Sequence, residues 1–263
     1  MTIFHTIILG IVEGLTEFLP ISSTAHMDIA RTLLGIPVDD FVKSFEIVIQ
    51  LGAILAVIVL YARRVFSSWT YVKNTIIAFV PTAVIGFVLY KIIKTYFLGN
   101  VWVEAWALLV GGIVILFFEW LQSRKRNPSV RESRVEDMRT STLISLGVAQ
   151  AVAVVPGVSR SGAVIIAGRS LNLSAVLITE FSFVLAVPTM LAASGYDILK
   201  SGIHFSGTQW LTILIGFFTA FLVALAVIRW LLSYVRRHSF KVFAWYRIVL
   251  GIVLICALYF KVL

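Results

Sequence analysis

EGLTEFLPISSTAH at residues 13–26 and PGVSRSG at residues 156–162 are two short polar stretches in a chain that is otherwise strongly apolar. Charged and ionisable side chains are costly at membrane depth and usually line a cavity there. Each stretch also holds proline or glycine, and broken backbone at that depth is tolerated only where protein or a water-filled cavity satisfies it. With carboxylates, hydroxyls, an arginine and helix starts, the two stretches predict a membrane-embedded site for a phosphorylated substrate.

The composition indicates an integral membrane protein. The 263 residues have a mean hydropathy of +0.99, and 60% are hydrophobic against 13% charged, which excludes an ordinary soluble domain. The net charge of +9 does not predict a nucleic-acid partner, because the basic residues lie at segment ends rather than on one soluble face. Cys256 is the only cysteine, so we expect neither a disulfide framework nor a zinc site. The N-terminus lacks a basic region before its apolar stretch, and no cleaved signal peptide is expected.

Six apolar runs predict six transmembrane helices. They cover residues 45–62, 76–93, 101–121, 177–195, 210–232 and 242–262. The loops after the first, third and fifth runs are basic, and cytoplasmic loops are enriched in Lys and Arg. These loops contain Arg63, Arg64 and Lys73, then Arg124, Lys125, Arg126, Arg131, Arg134 and Arg139, then Arg236, Arg237 and Lys241. We therefore place them in the cytoplasm and the C-terminus outside.

Matches at a nearly constant spacing indicate that the two halves of the chain are related. LGIV at 9–12 aligns with LGVA at 146–149, which pairs Ser22 with Ser159, and the Ala-Trp dipeptide at 105–106 recurs at 244–245. Each half has an interrupted pair of segments (3–18 with 22–36, and 140–155 with 159–171) followed by three crossings. An odd number of crossings inverts the second half, and such folds place their site near the bilayer midplane.

The predicted fold is thus an all-α polytopic membrane protein. It is an inverted-topology repeat with six transmembrane helices plus two re-entrant helix pairs. We predict one integral membrane domain, with repeat 1 at about 1–121, a cytoplasmic linker at about 122–139 and repeat 2 at about 140–263.

Two acids and a histidine in the first polar stretch are candidate catalytic groups. Glu13 and Glu17 are spaced i,i+4 and share one helical face. Paired carboxylates can hold a divalent cation or orient a base, so both are candidate metal ligands. The alternative is that one of them caps a helix or pairs with Arg160. His26 is a candidate general acid/base or nucleophile, against the alternative of a hydrogen-bonded core histidine.

Three hydroxyls lie between these groups, after Pro20 ends the first helix. Ser22 and Thr24 can cap the next helix or bind phosphate, and both remain substrate-binding candidates. Ser23 lies one turn before His26 and is the hydroxyl best placed to meet a phosphate.

The second polar stretch supplies a positive partner. Gly157 and Gly162 allow close backbone approach, and a helix that starts near Ser159 points its N–H groups at an anion. Arg160 adds a planar fork that matches phosphate oxygens, with a structural pair to one of the glutamates as the alternative. The predicted substrate-binding residues here are Ser159, Arg160, Ser161 and Gly162. Further charged or polar residues lie within or near the apolar runs without an assigned catalytic role, namely Glu46, Gln50, Glu104, Glu119, Glu180 and Arg247.

The two stretches together closely resemble the undecaprenyl-pyrophosphate phosphatase family of the bacitracin-resistance type. The resemblance covers essentially the whole chain, including FSFVLAVP at 181–188. It implies hydrolysis of a C55 polyprenyl diphosphate to the monophosphate, which recycles the carrier lipid of cell-wall synthesis. It also implies a divalent cation, Mg²⁺ or Ca²⁺, and a site that opens to the periplasmic side of the bacterial inner membrane.

The resemblance also assigns residues. The family's acidic motif corresponds to Glu13 and Glu17, its serine and histidine to Ser23 and His26, and its Pro-Gly-x-Ser-Arg-Ser core to residues 156–161. The chain departs from the family at two positions. Ala25 replaces the usual glycine, and Val164 replaces a usual threonine, which removes one hydroxyl from the second motif.

The resulting hypothesis is a phosphatase in which Arg160 and the N–H groups of residues 159–162 hold the diphosphate. Either Ser23, assisted by His26, attacks the terminal phosphorus, or a water does so with His26 as base. The rival hypothesis is a flippase that moves a polyprenyl phosphate without cleaving it, because transporters are also built from inverted repeats. The expected partners are a polyprenyl diphosphate lipid and the bilayer, with a homodimer left open and no nucleic acid.

Overall fold

The described residues of the chain fold mainly into α-helices. The computed structural model describes residues 1–97, 99–124, 134–201 and 206–260, and within these ranges it contains no β-strand. The helices are α1 (Ile3–Thr16), α2 (Ser23–Leu33), α3 (Asp40–Phe66), α4 (Trp69–Tyr96), α5 (Val101–Ser123), α6 (Thr140–Val152), α7 (Arg160–Ser170), α8 (Ala175–Ser201), α9 (Gly207–Val235) and α10 (Lys241–Tyr259).

The prediction of six transmembrane helices is confirmed in number and position. Among the described residues, α3, α4, α5, α8, α9 and α10 are long and apolar enough to cross a bilayer. The helices α3, α4, α8 and α9 extend beyond their apolar runs at both ends because polar residues also continue a helix. Thus α3 begins at Asp40, where the Asp39 carboxylate accepts a hydrogen bond of 2.7 Å from the Val42 N–H.

Four helices are too short to cross. α1 and α6 have 14 and 13 residues, about 20 Å at 1.5 Å per residue, against a hydrocarbon core of about 30 Å. α2 and α7 have 11 residues each. These four helices form two short pairs, α1–α2 and α6–α7, at the positions where the sequence predicts interrupted segments.

Each short pair packs on a long helix from the other half of the chain. α1 packs on α9, and α6 packs on α4. A Cβ added at Gly10 of α1 would lie 2.9 Å from the Gly216 carbonyl oxygen, and one added at Gly147 of α6 would lie 2.0 Å from that of Ala78. Small residues permit this backbone approach between membrane helices. The equivalent contact therefore occurs twice, with the two halves exchanged.

Part of the predicted linker is folded. Val135–Asp137 forms a 3-10 helix, and the side chains of Val135 and Met138 are buried. The Asn74 side-chain amide of α4 donates a hydrogen bond of 2.9 Å to the Val135 carbonyl. The linker positions 125–133, with Lys125, Arg126 and Arg131, lie outside the described residues.

The loop charges predict which loops face the cytoplasm, and cysteine labelling tests this. In a Cys256→Ala background, we expect Val38→Cys, in the exposed loop before α3, to react with a membrane-impermeant thiol reagent in intact cells. Ser67→Cys, in the exposed loop after α3, should react only after lysis. The parent lacking Cys256 controls for background, and the reverse labelling pattern would overturn the orientation.

Candidate active site

Two equivalent bends bring the polar stretches together. Ser22 and Ser159 precede α2 and α7 and have φ values of 73° and 72°, a region that side chains other than glycine rarely adopt. The Ser159 hydroxyl caps α7 by accepting a hydrogen bond of 3.2 Å from the Gly162 N–H. Ser22 makes no such cap bond, and its hydroxyl instead lies 3.0 Å from that of Thr24. Two non-glycine residues in the same rare conformation mark the same structural position in both pairs.

The two bends are in direct contact. The Ser161 hydroxyl donates a hydrogen bond of 2.9 Å to the Leu19 carbonyl, and the Gly157 N–H donates one of 3.3 Å to the Thr24 hydroxyl. The structure thus places the predicted residues of the second stretch beside those of the first.

Glu17 is the centre of this arrangement. Its Oε2 accepts a hydrogen bond of 2.5 Å from the Ser23 hydroxyl, and its Oε1 accepts one of 2.9 Å from Arg160 Nη2. Arg160 Nη1 also donates to the Ser182 carbonyl of α8 at 3.1 Å. Both bonds are charge-assisted because the acceptor is a carboxylate. Because Glu17 is buried, they are also shielded from water. A carboxylate, a hydroxyl and a guanidinium from both polar stretches therefore form one connected group.

Glu13 lies one helical turn before Glu17 and is also buried. Its Oε1 has no hydrogen-bond partner in the described part of the chain. A buried acceptor without a partner is costly, and it fits a ligand that the protein alone does not provide. Within the described ranges, no three His, Cys, Asp or Glu side chains form a group that could hold a metal ion. Two carboxylates plus substrate oxygens, however, is the donor set that Mg²⁺ commonly takes.

His26 contacts Tyr246 rather than Ser23. Its Nδ1 lies 2.6 Å from the Ser22 carbonyl, and its Nε2 lies 2.7 Å from the Tyr246 hydroxyl. A carbonyl only accepts, so Nδ1 carries a proton and neutral His26 presents the Nε2 lone pair to the tyrosine. The Ser23 hydroxyl is bonded to Glu17 instead.

Arg247 is a site residue whose role the sequence reasoning missed. Its side chain on α10 is fully buried, and no carboxylate among the described residues lies within ion-pair distance. It donates to five backbone carbonyls at 2.9–3.4 Å, those of Pro20, Ala107, Leu108, Gly157 and Val158. The sequence carried one signal for it, a charge inside an apolar run two residues after the recurring Ala-Trp dipeptide.

Other charged residues form separate pairs. Arg31 of α2 pairs with Asp28 and lies 3.7 Å from the Glu46 carboxylate of α3. Arg169 donates to the Leu173 carbonyl at 3.3 Å, in the turn after α7. Glu46 therefore lies beside the C-terminal turn of α2, and Arg169 stabilises the turn that follows α7.

Comparisons with known proteins agree over nearly the full length. The family model described as bacitracin resistance protein BacA matches residues 6–253. The chain is 46% identical to an undecaprenyl-diphosphatase of Aquifex aeolicus, over 96% of this chain and 97% of the relative. It is 43% identical to one of Bdellovibrio bacteriovorus, over 98% and 97%. A protein named undecaprenyl-diphosphatase 2 of Rhodospirillum rubrum is 46% identical over 94% and 92%.

Removing the Arg247 side chain should destabilise the packing of α10 against α5 and the two bends. Arg247→Met keeps much of the volume but leaves five carbonyls without their donor, at a cost on the order of 3 kcal/mol or more. We expect a clearly lower melting temperature for the detergent-solubilised protein. Arg229→Met, at an exposed position of α9, is the matched control and should melt like the wild type. Equal melting temperatures for both variants would contradict the role given to Arg247.

Proposed function

The chain belongs to the bacitracin resistance protein BacA family, and we propose that it is an undecaprenyl-diphosphatase. It is a multi-pass membrane hydrolase that converts undecaprenyl diphosphate to undecaprenyl phosphate and inorganic phosphate. The product is the carrier lipid that cell-wall synthesis uses again. The observation that carries this proposal is the buried group in which Glu17 holds both the Ser23 hydroxyl and Arg160.

The charge distribution of the site suits a diphosphate. Transfer of a phosphoryl group depends mainly on positioning and on electrostatic stabilisation of the phosphate oxygens. Arg160 offers a planar guanidinium, and α7 begins at that residue, so the positive end of the helix faces the same place. The hydroxyls of Ser22 and Thr24 lie in the first bend as further donors. The Ser161 hydroxyl and the Gly162 N–H already donate to the Leu19 carbonyl and the Ser159 hydroxyl, and they hold the second bend in place.

A divalent cation, Mg²⁺ or Ca²⁺, completes the proposed site. Glu13 and Glu17 would hold it together with diphosphate oxygens, and the partnerless Oε1 of Glu13 supports this assignment. When bound, the cation supplies charge neutralisation for the phosphate oxygens. Ser23 and Arg160 are both bonded to Glu17, so they would contact the same diphosphate.

The Ser23 hydroxyl is the proposed nucleophile. Its proton points at Glu17, so a lone pair on Oγ is available to the terminal phosphorus. A bond from Oγ to phosphorus forms as the bond from phosphorus to the bridging oxygen breaks. The proton passes to Glu17, and undecaprenyl phosphate leaves. Water then hydrolyses the phosphoserine with His26 as base, which releases inorganic phosphate and restores Ser23.

We also propose an inverted-topology repeat with two re-entrant helix pairs. The matching bends at Ser22 and Ser159 and the exchanged contacts of Gly10 and Gly147 support it. In this arrangement the bends meet near the bilayer midplane. The basic loops favour a site that opens to the periplasmic side of the bacterial inner membrane. Association as a homodimer stays a prediction from the sequence.

Phosphate release by the purified protein in detergent tests the function and separates it from a flippase, since transport is impossible there. We expect inorganic phosphate from undecaprenyl diphosphate in the presence of Mg²⁺ or Ca²⁺. Glu17→Gln and Ser23→Ala should each lower turnover about a hundredfold or more, because both remove groups that act in the transfer itself. Melting temperatures measured in parallel control for folding. A well-folded wild type that releases no phosphate would exclude the phosphatase.

Arg160→Lys should be severely damaging although the charge is kept. Lysine is a compact point charge, whereas arginine donates to two phosphate oxygens at once. Losing one charge-assisted bond costs about 1.5–3 kcal/mol, roughly ten- to a hundredfold in kcat/KM.

Arg169→Lys, at the far end of α7, is the matched control for this variant and should retain activity. Steady-state phosphate release gives the comparison. Turnover of Arg160→Lys within about twofold of the wild type would assign Arg160 to a structural pair with Glu17 alone.

A further inference from the structure

His26 is held at both ring nitrogens. Nδ1 donates to the Ser22 carbonyl at 2.6 Å, and Nε2 lies 2.7 Å from the Tyr246 hydroxyl. The two rings are nearly parallel, with an angle of 13° and a centroid distance of 5.5 Å. With both nitrogens bonded, the orientation and the tautomer of the imidazole are fixed.

Tyr246 is suited to both protonation states of this histidine. A hydroxyl donates as well as accepts. It therefore donates to the Nε2 lone pair of neutral His26 and accepts from the Nε2–H of the imidazolium. The ring does not have to turn between the two states, because the Ser22 carbonyl accepts from Nδ1 in both.

The position of Tyr246 on α10 fixes its contact with His26 and leaves the tyrosine partly exposed. The next residue is the fully buried Arg247, which holds the backbone of both bends. The tyrosine side chain itself is 45% exposed. Protein therefore does not enclose this residue, and its position follows that of the buried neighbour.

We propose that Tyr246 is a positioning residue for His26 that also passes protons to and from its Nε2. The tyrosine oxygen takes a proton from the water that hydrolyses the phosphoserine as its own proton moves to Nε2. The hydroxyl is thereby restored, His26 becomes the imidazolium, and the water oxygen bonds to phosphorus as the bond from phosphorus to Ser23 Oγ breaks. The reverse transfer returns the proton. This inference rests on the proposed phosphatase function, in which His26 acts as base.

Tyr246→Phe tests the inference because it keeps the ring and removes only the hydroxyl. We expect kcat for phosphate release to fall about tenfold, the effect of one lost hydrogen bond of about 1.4 kcal/mol, with KM within about twofold of the wild type. Tyr259→Phe removes the same atom from an exposed position of the same helix and should leave both parameters unchanged. Wild-type kcat in Tyr246→Phe would overturn the proposal.

¹⁵N spectra of histidine-labelled protein test the contact between Tyr246 and Nε2 and the tautomer of His26 directly, independently of the turnover rate. At alkaline pH the wild type should show His26, assigned through its loss in His26→Gln, with Nδ1 protonated and Nε2 an unprotonated acceptor. The Nε2 resonance should shift in Tyr246→Phe. An unchanged resonance, or a wild-type His26 protonated at Nε2, would refute the contact. A wild type with the expected spectrum but no phosphate release would instead refute the proposed function and leave the contact intact.

Discussion

The arrangement of this site depends on one buried cation, Arg247. An unpaired guanidinium in the protein interior is stable only if other groups replace its hydration. Here backbone carbonyls do so, two from α5 and three from the bends at residues 20 and 157–158. Because each carbonyl must reach the same planar group, the two bends and α5 cannot move independently. Arg247 therefore fixes the positions of the two bends relative to each other and to α5.

This constraint also determines where the backbone donors point. In a trans peptide the N–H and the C=O point in opposite directions. The Val158 carbonyl faces Arg247, so the Ser159 N–H of the same peptide group is directed away from Arg247. Serine, rather than glycine, occupies the positive-φ position directly before the helix in both bends. The strain of that conformation is tolerated because the hydrogen bonds on either side over-determine the backbone, and in return each bend keeps a hydroxyl at the site.

Local patterns in the sequence predicted the membrane helices and the polar stretches well. Hydrophobic length identified the six spans, and the aligned serines at 22 and 159 proved to share a conformation. Contacts between residues that are far apart in the sequence could not be predicted from such local patterns. His26 was assigned to Ser23 because they are three residues apart, but its Nε2 partner is Tyr246, which is 220 residues away. Arg247 looked like an isolated charge, since its partners are carbonyls that every residue has. Side-chain identity cannot reveal a bond to backbone whose position depends on the tertiary fold.

The charges of the site give a physical reason for the proposed cation. Glu13 and Glu17 carry at most two negative charges, and Arg160 and Arg247 carry two positive ones, so the free site is close to neutral. A diphosphate adds about two to three negative charges in a region of low dielectric, where unbalanced charge is expensive. Arg160 already shares its charge with Glu17 at 2.9 Å, and Arg247 is saturated by carbonyls. Neither of these two arginines therefore has a charge that is wholly free to offset the substrate, and the proposed divalent cation, bound with the diphosphate, would restore the balance. In this interpretation the acidic pair does not oppose phosphate binding but makes it dependent on the metal.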